Sequence, residues 1–302
     1  MTIDAFVRFT TPSGNIHYGS VTLQQLTTPL QGQYVTVLSG TPLAGFQDSE
    51  EKQQVDKVRH GSLGRDTVVL GDVLSPIEST PLIICIGLNY KRHAEEGKNT
   101  IPDYPVVFTK PPDALAGPYD TIPVHPSAQS LLDYEGELTV IIGRDAKNVS
   151  ATEALSYVLG YSSGNDVSAR NFQIKSASGG QFCYAKSFDR FAPIGPVVVL
   201  AHKVPNPQDL QLWTKINGQL RQQTNTDDMI WTVAQIIEHL SRGTTLRRGT
   251  VIMTGTPSGV GCFMEPRGLI HNGDVIEVGI DGLGSLANRF NFEESRIPSG
   301  NL

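Results

Sequence analysis

Apolar and polar residues alternate from Ala5 to Thr10, the turn cluster Pro12-Ser13-Gly14-Asn15 interrupts them, and Ile16 to Val21 follows, which predicts a first hairpin. Tyr34 to Leu38 and Thr67 to Leu70 add further strands. Between them, Gly45 to Gly61 is rich in Glu, Gln, Lys and Asp and reads as a short helix or a solvated surface loop. Asp72 to Pro81 carries two prolines and little periodicity, so it predicts a connector with a boundary near Ser75 to Thr80. The pattern divides the chain into a small N-terminal β-rich domain, 1–78, and a larger domain, 79–302.

The larger region is mixed α and β, and β-rich. Leu82 to Ile86 is a continuous apolar run, as in a buried strand, and Val106 to Thr109 is another, ending at Lys110. Leu138 to Ile142 is β-branched, and Leu159 to Ser163 returns toward Asp166. Ser150-Ala151-Thr152-Glu153 has capping-box spacing and predicts a helix over Ala151 to Val158. Asn217-Gly218 joins Leu212 to Ile216 with Gln219 to Gln222 in the chain's strongest hairpin signal. Thr232 to Leu240 is an amphipathic helix, capped by Thr232 with Gln235 and ended by Gly243. Asp274 to Ile280 and Leu283 to Phe290 close the chain as a hairpin.

Composition narrows the classes of function. The 302 residues are 39% hydrophobic and 18% charged, ordinary for a globular protein, and a formal charge of -6 gives no basic field for nucleic acid or an anionic membrane. No apolar run approaches the roughly 20 residues that span a bilayer. The three cysteines are far apart and form no C-x-x-C pair, which argues against a disulfide framework or zinc knuckle and for a reducing compartment. The N-terminus shows neither a secretory nor a transit pattern, so a cytoplasmic protein is expected, with a mitochondrial one the alternative.

Candidate chemistry gathers between Leu132 and Asn171. Glu135 and Glu137 are two apart in a strand pattern and face one side, where their repulsion calls for a cation, and Asp166 ends the next apolar segment. Three carboxylates without a cysteine pair suit a hard ion such as Mg²⁺ or Mn²⁺. His93 and Glu96 are three apart, so one helical turn lets the carboxylate fix the imidazole tautomer of a general base; alternatively KRHAEEG is a solvated face. Arg170 and Gln173 follow Asp166 at four and seven, compatible with one face of a helical turn. Lys110 is either a surface residue or faces an anionic substrate. Lys186 is either a salt-bridge partner or a stabiliser of a developing oxyanion. The glycine-rich loop Gly255 to Gly261 could cradle an anion, with Thr256 contacting a carboxylate, or could be a plain turn; it lacks P-loop and dinucleotide spacing.

GLNYKRHAEE, YEGELTVIIG, GYSSGNDVSARNFQ, AKSFDRFAPIGP, INGQLRQ, MTGTPSGVG and NGDVIEVGIDGLGSLAN, in this order across Pro81 to Phe290, resemble the fumarylacetoacetate hydrolase family, closer to its acylpyruvase and oxaloacetate decarboxylase branch. The resemblance implies a mixed β-roll catalytic domain behind a small N-terminal β domain, usually as a homodimer. It also implies Mg²⁺ or Mn²⁺ (Ca²⁺ in crystals) on Glu135, Glu137 and Asp166. By the same resemblance His93, Glu96 and Lys186 are catalytic, and Arg170, Gln173, Lys110 and Thr256 bind a small 2-oxo acid. The implied chemistry runs through a stabilised enolate, with C–C hydrolysis of an acylpyruvate first and decarboxylation or keto-enol tautomerisation of oxaloacetate second. A non-catalytic ligand-binding protein is the remote alternative. The segments 95–104 and 176–181 are expected at the pocket.

Overall fold

The computed structural model describes residues 3–47 and 67–294, so most of the polar stretch 45–61 lies outside the described residues. Among these residues the fold is β-rich with few and short helices. The predicted hairpin forms, with Ala5–Thr10 antiparallel to Ile16–Val21. Ala5–Thr10 also pairs with Ala192–Leu200, so the N-terminal strands continue the sheet that carries the catalytic region. From Ala192–Leu200 this sheet runs through Val158–Asn165, Gly136–Ile142, Val251–Met253 and Ile83–Gly87 to Val106–Lys110. A second, five-stranded sheet is ordered Ile122–Val124, Gly284–Phe292, Val275–Ile280, Gln211–Ile216 and Gln219–Asn225.

Gly136–Ile142 is buried along its whole length. Leu138, Val140 and Ile142 pack with Val233, Ile236, Ile237 and Leu240 of the helix Val233–Ser241, whereas Ile141 packs with Phe6, Leu38 and Val198. Successive strand residues face opposite ways, so Glu135, Glu137 and Ile141 belong to one parity and the helix-facing residues to the other. The strand therefore separates a dry aliphatic core from the side that carries the acids.

Three expectations shorten or change. Only Ala151–Ala154 is α-helical, because a 3-10 turn over Leu155–Tyr157 leads directly into the strand at Val158; the Ser150 hydroxyl bonds the Glu153 carboxylate (2.8 Å) rather than capping the backbone. Arg170 and Gln173 do not share a helical face with Asp166, since a two-residue strand, Ser168–Ala169, intervenes before the 3-10 turn Arg170–Phe172. Residues 176–181 contain the end of the one-turn helix Lys175–Ser178, with Gly179 and Gly180 at positive φ. Among the described residues no helix is long and apolar enough to cross a membrane.

The Thr232 cap on Val233–Ser241 is formed as predicted, with its hydroxyl accepting from Gln235 N and the Gln235 side chain returning to Thr232 N. Thr232→Ala should lower unfolding free energy by about 1 kcal/mol in urea denaturation, and an unchanged midpoint would refute the cap's contribution.

Candidate active site

Strand register builds the acid cluster. Gly136 pairs with Asn165 and Glu137 with Gly164, so Asp166 arrives beside Glu135, whose carbonyl accepts from Asp166 N at 2.8 Å. On the other side Thr139 pairs with Met253, and the chain leaving that strand brings Gly255 N to within 2.7 Å of Glu137 Oε2. One carboxylate oxygen from each of Glu135, Glu137 and Asp166 lies within 4.8 Å of the others.

Two buried lysines and the partly buried Arg170 meet these acids. Lys186, on the one-turn helix Cys183–Lys186, bridges Glu135 Oε2 (2.8 Å) and Asp166 Oδ2 (2.7 Å), with its ammonium 4.9 Å from the Phe108 ring centre. Arg170 Nη1 reaches Glu135 Oε1 at 2.7 Å. Lys110 Nζ holds Asp166 Oδ1 at 2.5 Å and donates to the carbonyls of Val167 (3.1 Å) and Phe191 (2.6 Å). Burial opposes ionisation of Glu135, but Lys186 and Arg170 overcome it and hold the carboxyl at about 2. Burial and then the neighbouring Asp166 and Glu135 push the Glu137 carboxyl well above its usual range, because no cationic side chain among the described residues forms an ion pair with it. Glu137 thus has a deficit of positive charge at the point where the three carboxylates converge. An all-oxygen donor set with that deficit fits a hard divalent cation.

The predicted His-Glu pair is formed. Helix Lys91–Glu96 puts His93 Nδ1 3.2 Å from Glu96 Oε2, while Glu96 Oε1 accepts from Gly259 N at 3.0 Å. The helix follows Ile83–Gly87, which is parallel to and paired with Val251–Met253, so His93 and the glycine-rich loop leave the same end of two neighbouring strands. Asn89 clamps that exit, donating to Thr254 O (2.7 Å) and Trp231 O (3.0 Å).

The glycine-rich loop does cradle anions, and they are the protein's own. Gly255 N serves Glu137, Gly259 N serves Glu96, and Gly261 N (2.8 Å) and Cys262 N (3.0 Å) serve Asp133. Gly255 has φ +100, and a Cβ there would meet Asn89 Cβ at 2.6 Å, so this approach requires glycine.

A cavity of about 260 Å³ is lined on its polar side by His93, Glu135, Arg170, Gln173, Lys186 and Thr256 and on its apolar side by residues including Leu88, Val106, Phe108 and Phe182. Asn99, from the segment 95–104, also lines it. Lys110 does not: it is 0% exposed and sits behind Asp166. The Thr256 hydroxyl donates to Gly136 O (3.1 Å) and accepts from Gln222 Nε2 (2.8 Å), which commits its proton to the backbone. Asp133, Gln222 and Asn165, whose Oδ1 accepts from Glu135 N at 3.0 Å, were not singled out by sequence pattern. The available signal for Asp133 was a charge between Leu132 and Tyr134, two apolar residues.

Fold and site together define an enzyme organised around a buried triad of carboxylates. The chain belongs to the fumarylacetoacetate hydrolase family: the fumarylacetoacetate (FAA) hydrolase C-terminal family matches residues 82–291, and an Rv2993c-like, N-terminal family matches residues 5–60. Enzymes of this family are generally divalent-metal-dependent. The chain is 44% identical over 225 residues to fumarylacetoacetate hydrolase domain-containing protein 2 homolog of Dictyostelium discoideum, covering 72% of this chain and 73% of that protein. It is 43% identical over 209 residues to oxaloacetate tautomerase YisK of Bacillus subtilis, 68% of each chain. The crystallised fumarylacetoacetate hydrolase from Exiguobacterium antarcticum superposes with a TM-score of 0.78 at 33% identity, over 96% of this chain and 99% of that one.

Lys110→Met, which leaves one Asp166 oxygen without its ion-pair partner and two carbonyls without their donor, should cost about 3–5 kcal/mol of unfolding free energy in urea. A loss below about 1 kcal/mol would show that the buried ammonium is dispensable.

Proposed function

We propose that this chain is a divalent-metal-dependent enzyme of 2-oxo acids that interconverts the keto and enol forms of oxaloacetate or a closely similar 2-oxo diacid. The observation that carries the reading is one cavity lined by the carboxylate-oriented imidazole of His93, by Glu135 of the triad, and by Lys186 and Arg170. Glu135, Glu137 and Asp166 would hold the ion, Mg²⁺ or Mn²⁺ by their donor type. When bound, such an ion supplies Lewis-acid polarisation of the substrate's carboxylate and 2-oxo oxygens. The bond from His93 Nδ1 to Glu96 leaves Nε2 as the ring's basic nitrogen. His93 then takes a proton from C3, the C–H pair forms the C2–C3 double bond as the carbonyl π pair moves to the C2 oxygen, and the imidazolium returns the proton to that oxygen to give the enol. Lys186 and Arg170 favour the enolate because their charge is already fixed in a buried site and need not reorganise. Leu88, Val106, Phe108 and Phe182 give the cavity an apolar wall opposite that charge. The relatives named oxaloacetate tautomerase in Bacillus subtilis, Bos taurus and Homo sapiens, at 43%, 37% and 36% identity, support this reaction.

A second reading, hydrolysis of a C–C bond in an acylpyruvate, is supported by the likeness to the Exiguobacterium hydrolase. There His93 would deprotonate a water that attacks the distal carbonyl, and the same enolate would leave. Proton NMR of oxaloacetate and an acylpyruvate with Mg²⁺ or with EDTA separates the readings. Metal-dependent keto-enol exchange of oxaloacetate is expected, slowed about 100-fold or more by His93→Ala. Pyruvate plus a free acid from the acylpyruvate would favour hydrolysis, and no metal-dependent turnover of either compound would reject both.

A further inference from the structure

Asp133 is 0% exposed and lies outside the triad, yet its two oxygens collect donors from three directions. Oδ1 accepts from Gly261 N (2.8 Å) and Tyr134 N (3.0 Å), and Oδ2 accepts from Cys262 N (3.0 Å) and Arg170 Nε (2.9 Å). A carboxylate needed only to neutralise the loop would not have to grip Arg170 through Nε. That grip fixes the plane of the guanidinium. Nη1 is then directed to Glu135 Oε1 (2.7 Å) and Gln173 Oε1 (2.9 Å), and Nη2 is left buried with no hydrogen-bond partner in a side chain that lines the cavity. Buried donors without partners are rare in folded proteins, and this one belongs to a cation at a substrate-sized cavity.

We propose that Asp133 is a positioning residue: it holds Arg170 so that Nη2 stays available for an anionic group of the bound 2-oxo acid, and it ties that arginine to the loop that also serves Glu96 and Glu137. The proposal rests on the reading of Arg170 as a substrate contact. Asp133 itself touches neither the substrate nor the triad's ion. It acts through orientation, so its loss should weaken anion binding much more than cation binding.

Calorimetric titration of the Mg²⁺-loaded protein with oxalate, which needs no turnover, tests this. Asp133→Asn and Arg170→Lys should each weaken oxalate about tenfold or more, the scale of one charge-assisted hydrogen bond. Asp133→Asn should leave Mg²⁺ affinity within about twofold, and the double variant should bind oxalate no more weakly than Arg170→Lys alone, because both changes remove the same contact. Independent, multiplying losses, Mg²⁺ affinity falling in step with oxalate, or wild-type protein that binds no oxalate would overturn the proposal. If Asp133→Asn does not fold, nitrogen-15 NMR of the wild type decides. The Arg170 Nε–H signal, assigned by its loss in Arg170→Lys, should exchange slowly with water, and rapid exchange overturns the grip. Oxalate binding of the expected kind in a protein that does not tautomerise oxaloacetate would sink the activity and leave the role of Asp133 standing.

Discussion

Charge compensation without water is the constraint from which the rest of this structure follows. Asp133, Glu135, Glu137 and Asp166 are buried together, and among the described residues only Lys110, Arg170 and Lys186 form ion pairs with them. Desolvated charges are tolerated only where partners and hydrogen bonds replace the lost hydration. Glu135 and Asp166 have that replacement on both oxygens, and Asp133 has it from backbone amides and Arg170. Among the described residues Glu137 has a single amide, from Gly255. The imbalance is localised rather than spread, which is the condition for a site that takes up one small ion at a defined point.

The glycine-rich loop distributes this compensation. Its amides point inward at Glu137, Glu96 and Asp133, three acids with different assigned duties. A nest of amides of this kind ordinarily binds a ligand anion. Here the ligands are side chains of the same fold, and the loop ties together Glu137 of the triad, the carboxylate that holds His93 and the carboxylate that holds Arg170. Gln222, from the second sheet, braces the loop by donating to Thr256 Oγ1 and Pro257 O while accepting from Gly136 N.

Much of this was legible in the sequence, for physical reasons that differ between residues. The strands announce themselves through β-branched runs, and Glu135 with Glu137, like His93 with Glu96, have spacings that local geometry turns directly into proximity. Lys110 was legible in principle, since Phe108 and Lys110 share one face of Val106–Lys110 and that face is buried. The length of the helix after Ser150 was not, because Leu155–Tyr157 tighten into a 3-10 turn that delivers the chain to the strand at Val158. Asp133, Asn165 and Gln222 could not be told from ordinary polar residues, as their partners lie on other elements that only the folded chain brings near.

The contacts that complete the site join distant parts of the chain: Glu96 meets Gly259 across 163 positions, and Asn89 meets Thr254 across 165. Closing loops of that length costs entropy that only the finished sheet repays. During synthesis the imidazole of His93 therefore emerges long before the loop that orients its partner. A chain stopped short of Val251–Met253 has His93, the acids and both lysines, and lacks the amides of Gly255, Gly259 and Gly261 that hold Glu137, Glu96 and Asp133. The last part of the chain to be made thus fixes acids that the earlier parts supply.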